Sequence, residues 1–436
     1  MNSTLSYQKS INNYLLLAFS FFITTSYFAI TNIIIVLFFT SWIIGPHYLK
    51  KVKFIIQTPF TLSILLFITY VLLSTIWSSE SLLNDTTQKQ FLIFLLPVLL
   101  TIRFSHNFLE KAKWGFILGL TCNVLLSIMT LFLPGNSFFK DGHYKDAIFA
   151  HGFIDHFDYS IFLCFGLILI LQFITIYKQH RVKLILLFIL FFITLLNSYG
   201  RVGMISFIIF FPIVLYHKIK IKALYIIFIL LVMTLLSYYI FQPFQNRVAQ
   251  TIYEINILYN GMTLDEKITK DAEYLHAQNS TYSKDYYISK IKEDVDWIKA
   301  IDNKSPQYHT SIGKRYLYIK NSMAIISNHW LFGVGAGGFS KAYLGNNSKK
   351  ESNPHNNYLF IIMELGIIGL LLMLSILYIQ IRTFFLNKNN ILKFIFPILF
   401  LVIMLFDIYM VNPNTLAFFC LFSFIIYYED YSLLDT

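Results

Sequence analysis

Apolar runs long enough to cross a lipid bilayer recur along this 436-residue chain, and no other property limits its fold so strongly. A helix needs about 20 mostly apolar residues to span ~30 Å of hydrocarbon, and lipid requires every backbone polar group to be bonded within the segment. The run from Tyr14 to Ile44 is too long for one crossing and predicts two short helices turning near Thr25 to Asn32. Further runs lie at about 57–78, 89–104, 113–134, 158–177, 184–199, 201–217 and 223–243, then at 356–381, 391–410 and 413–428. The expected fold is therefore an all-α integral membrane protein with about 12 transmembrane helices and one large helical loop. Hydrophobic residues make up 56% and charged residues 13%, more apolar surface than a soluble core of this length consumes, so the surplus faces lipid.

The net charge of +11 sits in short clusters between apolar runs rather than on one soluble face, which argues against a nucleic-acid partner. Cytoplasmic loops are enriched in Lys and Arg. Lys50, Lys51 and Lys53 fill one loop; Arg103, Lys111 and Lys113, then Lys178, Arg181 and Lys183, then Lys218, Lys220 and Lys222, and finally Arg382, Lys388 and Lys393 fill every second loop thereafter. Both termini are then expected in the cytoplasm. The loops around Glu80 and Asp85, Gly135 to Phe157, Tyr199 and Gly200, and Asn412 to Asn414 face outward, as does the long segment 244–354. Cys122, Cys164 and Cys420 each lie in an apolar stretch, so no disulfide is expected. The N-terminus has no early basic region and no clear small-residue cleavage site, which predicts that the first apolar run is an uncleaved anchor.

Three segments result: an N-terminal membrane bundle at 12–243, a large outer loop at 244–354 and a C-terminal membrane segment at 355–428. Within the loop, Ile288, Ile291, Val295 and Ile298 recur at helical spacing between charged residues and predict an amphipathic helix. A second helix is expected from Arg315 to His329, ending at Gly333-Val-Gly-Ala-Gly-Gly338. Those glycines match a dinucleotide fingerprint in spacing, but no strand precedes them and the segment faces outward, so a tight turn is the better reading. The Tyr-rich stretch Tyr259 to Lys284 has no clear period, and no internal repeat is visible.

Chemistry is expected at three outward positions. His355, in Pro354-His-Asn356-Asn357-Tyr358, stands where the loop re-enters the membrane. Histidine, with an unperturbed pKa of ~6.5, is the side chain best suited to take a proton from a hydroxyl near neutral pH; the same cluster also suits a plain helix cap. Arg201 opens a membrane helix on the outer side, where the bias of basic residues calls for an anionic partner and where a snorkelling anchor is the alternative. Arg315 heads the helix leading to the glycine turn. Two forked guanidiniums suit bidentate capture of a diphosphate.

Glu364 and Asp407 fall in apolar runs, where a charge costs at least ~2.5 kcal/mol unless paired, wetted or protonated. Glu364 stands nine residues past His355, ~13 Å along a helix and on its other face, so it is expected to pack in a polar pocket rather than touch the histidine. The spacing of His143, Asp146, His151, Asp155 and His156 is too irregular for a dedicated metal site.

Taken together, Gly200-Arg201 opening a helix, Arg315 ahead of Gly333-Val-Gly-Ala-Gly, and Pro354-His-Asn-Asn followed by Glu364-Leu-Gly-Ile-Ile-Gly369 resemble the O-antigen ligase and polymerase superfamily over roughly residues 190–370. Trp330 stands where that family often has proline, and Tyr199-Gly200 replaces a common serine before the arginine. The resemblance implies a glycosyltransferase of the bacterial inner membrane, its site facing the periplasm, that needs no cofactor. A glycan would pass from undecaprenyl diphosphate to a sugar hydroxyl of lipid A-core. By analogy Arg201 and Arg315 bind the diphosphate, His355 activates the acceptor, and Asn356 and Asn357 lie against substrate. An O-antigen polymerase shares the donor but not the acceptor. A protein O-oligosaccharyltransferase usually has extra C-terminal sequence, and a lipid-glycan flippase would carry its cations within the membrane rather than at the outer boundary.

Overall fold

The structure, a computed structural model, describes residues 2–25, 28–81, 84–132, 154–198, 200–278, 282–293, 306, 310–346, 354–387 and 390–432. It forms two compact units: residues Met1–Phe244 with Ile326–Thr436, and Gln245–Ile325. In the first unit the chain forms α1 (Asn2–Phe22), α2 (Phe28–Ile44), α3 (Tyr48–Gln57), α4 (Pro59–Ser74), α5 (Asp85–Phe91), α6 (Leu95–Thr101), α7 (His106–Phe132), α8 (His156–Ile176), α9 (Arg181–Asn197), α10 (Arg201–Ile219) and α11 (Ala223–Ile240). The second unit holds most of α12 (Gln242–Asn260), with α13 (Leu264–Gln278), α14 (Lys284–Glu293) and most of α15 (Ser311–His329). α16 (Phe339–Asn346), α17 (Asn357–Leu386), α18 (Leu392–Ile403) and α19 (Pro413–Tyr431) complete the first unit.

No strand occurs among the described residues, as the all-helical expectation requires. Among the described residues six helices are long and apolar enough to cross a membrane: α7, α8, α9, α10, α11 and α17. A seventh arises if α2 and α3, bent by 109° at their junction, count as one span. Each expected apolar run contains helix, but several are shorter than a full crossing. The run at 89–104 divides into α5, a 3-10 turn at Leu92–Phe94, and α6. Pro97 explains the division: it has no N–H for the Ile93 carbonyl and its ring crowds that position. The Cys420 thiol lies 3.7 Å from the Leu92 carbonyl and 3.8 Å from that of Ile93, a weak donor at the interruption. The run at 391–410 stops as a helix at Ile403, after which a turn carries Asp407 out of the apolar span in which the sequence alone puts it.

Packing in the first unit is dominated by interlocked phenylalanines. Phe162 meets Phe418 at 4.6 Å between ring centroids, Phe165 meets Phe422 at 4.6 Å, and Phe116 meets Phe422 at 4.8 Å. Lipid tails are as apolar as the side chains, so close ring contact supplies much of the association. α8 and α19 are accordingly buried almost throughout, whereas α11 exposes apolar residues nearly all round.

The contacts sort one end of this bundle from the other. At one end Lys393 pairs with Asp430 at 2.6 Å, His106 meets Glu429 at 2.8 Å, and Asn13 bonds Ser105 at 3.1 Å, among the basic loops. At the opposite end lie the starts of α8, α10, α17 and α19, with few Lys or Arg.

α17 is broken at Gly366, whose φ of 65° and ψ of −171° interrupt the helix. The carbonyls so released are taken up by the expected glycine turn. Val334 N–H donates to the Met363 carbonyl at 2.8 Å and Gly335 N–H to that of Glu364 at 2.8 Å. The Tyr70 hydroxyl donates to the Leu365 carbonyl at 3.0 Å, and Ile367 N–H donates to the Trp330 carbonyl at 2.9 Å. A Cβ on Gly333 would lie 2.3 Å from the Glu364 carbonyl carbon, and one on Gly366 would lie 2.1 Å from the Leu331 oxygen. The glycines thus permit backbone to meet backbone and complete the polar pairing of a broken membrane helix.

In the second unit, Thr263 and Glu266 cap α13 reciprocally: Thr263 N–H donates to Glu266 Oε2 at 2.8 Å and Glu266 N–H to Thr263 Oγ1 at 3.3 Å. Donation to the carboxylate by the Thr263 backbone N–H first, and then by its side chain, holds the Glu266 carboxyl below the usual range. Lys284 joins α14 to Glu273 of α13 at 2.6 Å and, ahead of Lys270, keeps that carboxyl low as well. The expected helices over Ile288 and Ile291, and over Arg315 to His329, are present, while Val295 and Ile298 lie outside the described residues. α13 arises where no period is clear in the sequence; Ile268 and Ala272 are its buried face, and the alanine is too small to mark it.

Candidate active site

The start of α17 is fixed by its own asparagines. Asn356 caps the helix, its Oδ1 accepting Leu359 N–H at 3.0 Å, and its Nδ2 donates to the Leu405 carbonyl at 3.2 Å. Asn357 is fully buried; its N–H donates to the Met404 carbonyl and its Oδ1 accepts Met410 N–H at 2.7 Å. The two residues therefore staple the re-entry point to the turn 404–412. His355, immediately before them, takes a left-handed φ of 51°, rare for a residue with a Cβ.

That conformation brings His355 Nδ1 to 3.0 Å from Asp407 Oδ2. The carboxylate is 9% exposed and the imidazole 31% exposed. Asp407 Oδ1 accepts the N–H of Ile408 at 2.7 Å, which fixes the plane of the carboxylate. With Nδ1 donating to the acid, the lone pair resides on Nε2, the tautomer a general base requires. Sequence reasoning sees Asp407 as a charge needing a partner but does not pair it with His355; the two are 52 residues apart and meet only because α18 ends early.

The polar layer continues beyond the pair. Asn412 N–H bonds the Ile408 carbonyl at 3.0 Å, and its Nδ2 donates to Asp158 Oδ1 at 3.2 Å, an oxygen that also accepts from the Thr415 hydroxyl. Asp158, at the start of α8, is a buried acid whose only signal in the sequence is a carboxylate in the first turn of an apolar run. Two residues on, Ser160 abuts α10, where a Cβ on Gly203 would lie 2.2 Å from the Ser160 carbonyl oxygen. Arg201, the first residue of α10, is half-buried at this same end, with Nε and Nη2 out of solvent. α8 therefore carries both the Asp158 link to Asn412 and Thr415 and the Ser160 contact with the helix that Arg201 opens.

Glu364 is buried and away from the pair. Its Oε1 accepts Gly337 N–H at 3.1 Å, so it fastens the glycine turn to the break in α17, in keeping with the polar packing role expected of it. Arg315 is half-buried on α15 in the second unit. Among the described residues no group of three His, Cys, Asp or Glu is close enough to hold a metal; His143, Asp146 and His151 lie outside them.

Fold and site define a multi-pass, all-helical membrane protein that presents an acid-oriented histidine at the sparsely basic end of its bundle. The family model described as O-antigen ligase matches residues 186–374, and this match supports placing the chain in the O-antigen ligase and polymerase superfamily. The matched stretch contains Arg201, Arg315, His355, Asn356, Asn357 and Glu364, whereas Asp407 lies beyond it. No curated protein matches the chain.

Proposed function

We propose that the chain transfers a glycan from undecaprenyl diphosphate to a sugar hydroxyl of lipid A-core, as an O-antigen ligase of the bacterial inner membrane. The observation that carries the reading is the His355–Asp407 pair, 3.0 Å apart at one end of the bundle. Nε2 takes the proton from the acceptor hydroxyl as its oxygen attacks the sugar carbon. The bond to the diphosphate breaks, and its electron pair stays on the departing oxygen. Arg201 stabilises that charge with its forked donors. Arg315 is proposed as a second diphosphate ligand on its place in the sequence pattern. Asp407 acts through His355 as a positioning residue; the half-buried Asn356 lines the rim against which substrate lies, while Asn357, expected beside it against substrate, is fully buried and instead holds the turn that carries Asp407.

The proposal includes twelve crossings, formed by α1, α2, α4, α5 with α6, α7 to α11, and α17 to α19, with the Lys-bearing α3 in the cytoplasmic loop between α2 and α4. The Lys- and Arg-rich end then faces the cytoplasm, which leaves residues 244–354 and the pair on the periplasmic side. An O-antigen polymerase is the second reading, favoured by a family match that spans both activities. Deleting the gene and resolving surface glycolipid on a gel separates them. The ligase reading expects core without polymer; core bearing a single repeat means polymerase, and an unchanged ladder refutes both.

A further inference from the structure

Beside the glycine turn that closes the break in α17 stand large apolar side chains that the described residues leave exposed. Trp330 is 58% exposed and Phe332 52% exposed, and beside them, at the end of α4, Trp77 is 41% and Ile76 80% exposed. Phe332 and Trp77 meet edge to face at 6.1 Å, and Trp77 meets Tyr70 at 6.2 Å. The patch is continuous with an apolar face below it, where Leu66, Leu72 and Leu73 on α4 and Leu371 on α17 are exposed.

Its depth follows from α4. Phe60, at the base of that helix, lies 5.0 Å from Tyr431, next to the Asp430–Lys393 pair of the basic end. Ser74 stands fourteen residues higher, roughly 21 Å at 1.5 Å per residue. Trp77 and the turn therefore fall near the far edge of a hydrocarbon layer about 30 Å thick. Tryptophan prefers that level, where its ring meets acyl chain and its N–H meets water or headgroup. The backbone beneath is fixed by the Trp330, Val334 and Gly335 bonds to α17, so the rings are held outward in advance of any contact.

We propose that Trp330, Phe332, Trp77 and Ile76 form a wedge that seats the glycine turn in the phospholipid interface at this end of the bundle, anchoring the outer loop to lipid where it returns to α17. The occupant is the boundary between headgroup and upper acyl chain, because the patch continues the lipid-facing surface of α4 and carries the aromatic character of that level. The inference stands apart from the transfer reaction.

Depth-resolved fluorescence quenching tests it on the full chain in nanodiscs of phosphatidylethanolamine and phosphatidylglycerol. Subtracting the emission of Trp330→Phe, and separately of Trp77→Phe, from that of the unchanged protein isolates each tryptophan. Each difference spectrum should lose intensity with lipids brominated high in the acyl chain, lose less with deep bromines, and resist aqueous iodide. Quenching by iodide without quenching by brominated lipid means a water-facing patch and overturns the proposal. Resistance to both quenchers means that protein covers the patch, which overturns it equally. If one variant fails to insert, the other gives the same reading.

Discussion

Replacing Asp407 by Asn tests the histidine geometry without altering the size of the side chain. One carboxylate oxygen of Asp407 is already bound to Ile408 N–H at 2.7 Å and the other faces His355 Nδ1 at 3.0 Å. In Asp407→Asn the amide oxygen will keep the Ile408 bond, because an amino group there would face another donor. The NH2 then points at Nδ1, which must become the acceptor, and the ring proton moves to Nε2. Such an imidazole cannot take a proton from an acceptor hydroxyl. To recover the useful tautomer the amide must turn, leaving the Ile408 N–H unsatisfied at a cost of ~1–3 kcal/mol. At 1.4 kcal/mol per decade, the rate should fall roughly 5- to 150-fold. The assay is initial-rate transfer by purified protein in lipid with the lipid-linked donor, with donor binding measured alongside. Binding should stay near normal while turnover falls, and Asp407→Glu should recover part of the loss. An Asp407→Asn protein that inserts normally and turns over at the unchanged rate refutes the positioning role.

Arg201→Lys and Arg315→Lys should each keep the charge but lose the fork, so transfer should fall by about 10- to 100-fold if one charge-assisted bond worth ~1.5–3 kcal/mol is lost; unchanged rates for both return them to structural anchoring. Gly366→Ala combines a left-handed φ, ~1–2 kcal/mol, with a backbone clash of the overpacking kind, ~1–3 kcal/mol, for a total of roughly 2–5 kcal/mol. Gly261→Ala, with φ of 74° and open space around it, should show the conformational share alone in reversible unfolding from mixed micelles, and equal losses in the two would contradict the docked break. The Glu266 carboxyl is depressed in the folded state, so its contribution is present above the unfolded value of ~4.3 and lost as pH falls through the lower folded one. Helix content followed by circular dichroism from pH 6 to 3 should therefore drop more in the unchanged protein than in Glu266→Gln; parallel curves would remove the cap from the account.

What the sequence makes legible follows from the scale of the signal. Apolar runs and basic loops are long-range averages, so helices such as α7, α8 and α10 appear where the runs predict them. Interruptions depend on single residues: Pro97 divides one run, and Gly366 breaks α17 inside an unbroken stretch of apolar sequence. His355 and Arg201 stand out because a histidine and an arginine at an outer boundary need a reason. Asp407 is visible as a charge in an apolar run, yet its partner is 52 residues away; Asp158, whose partner Thr415 is 257 residues on, carries no comparable signal, and no local pattern carries either pairing. The cap formed by Asn356 and the burial of Asn357 likewise emerge only once the turn 404–412 folds back on α17.

The central claim is that His355 takes the proton of the acceptor hydroxyl, and the most direct measurement is the turnover of His355→Ala in lipid, with membrane insertion and donor binding measured on the same preparation. General-base assistance is typically worth ~10² to 10⁴ in rate, so turnover should fall within that range while insertion and donor binding stay near those of the unchanged protein. An inserted, donor-binding His355→Ala protein that transfers glycan at the unchanged rate would contradict the account.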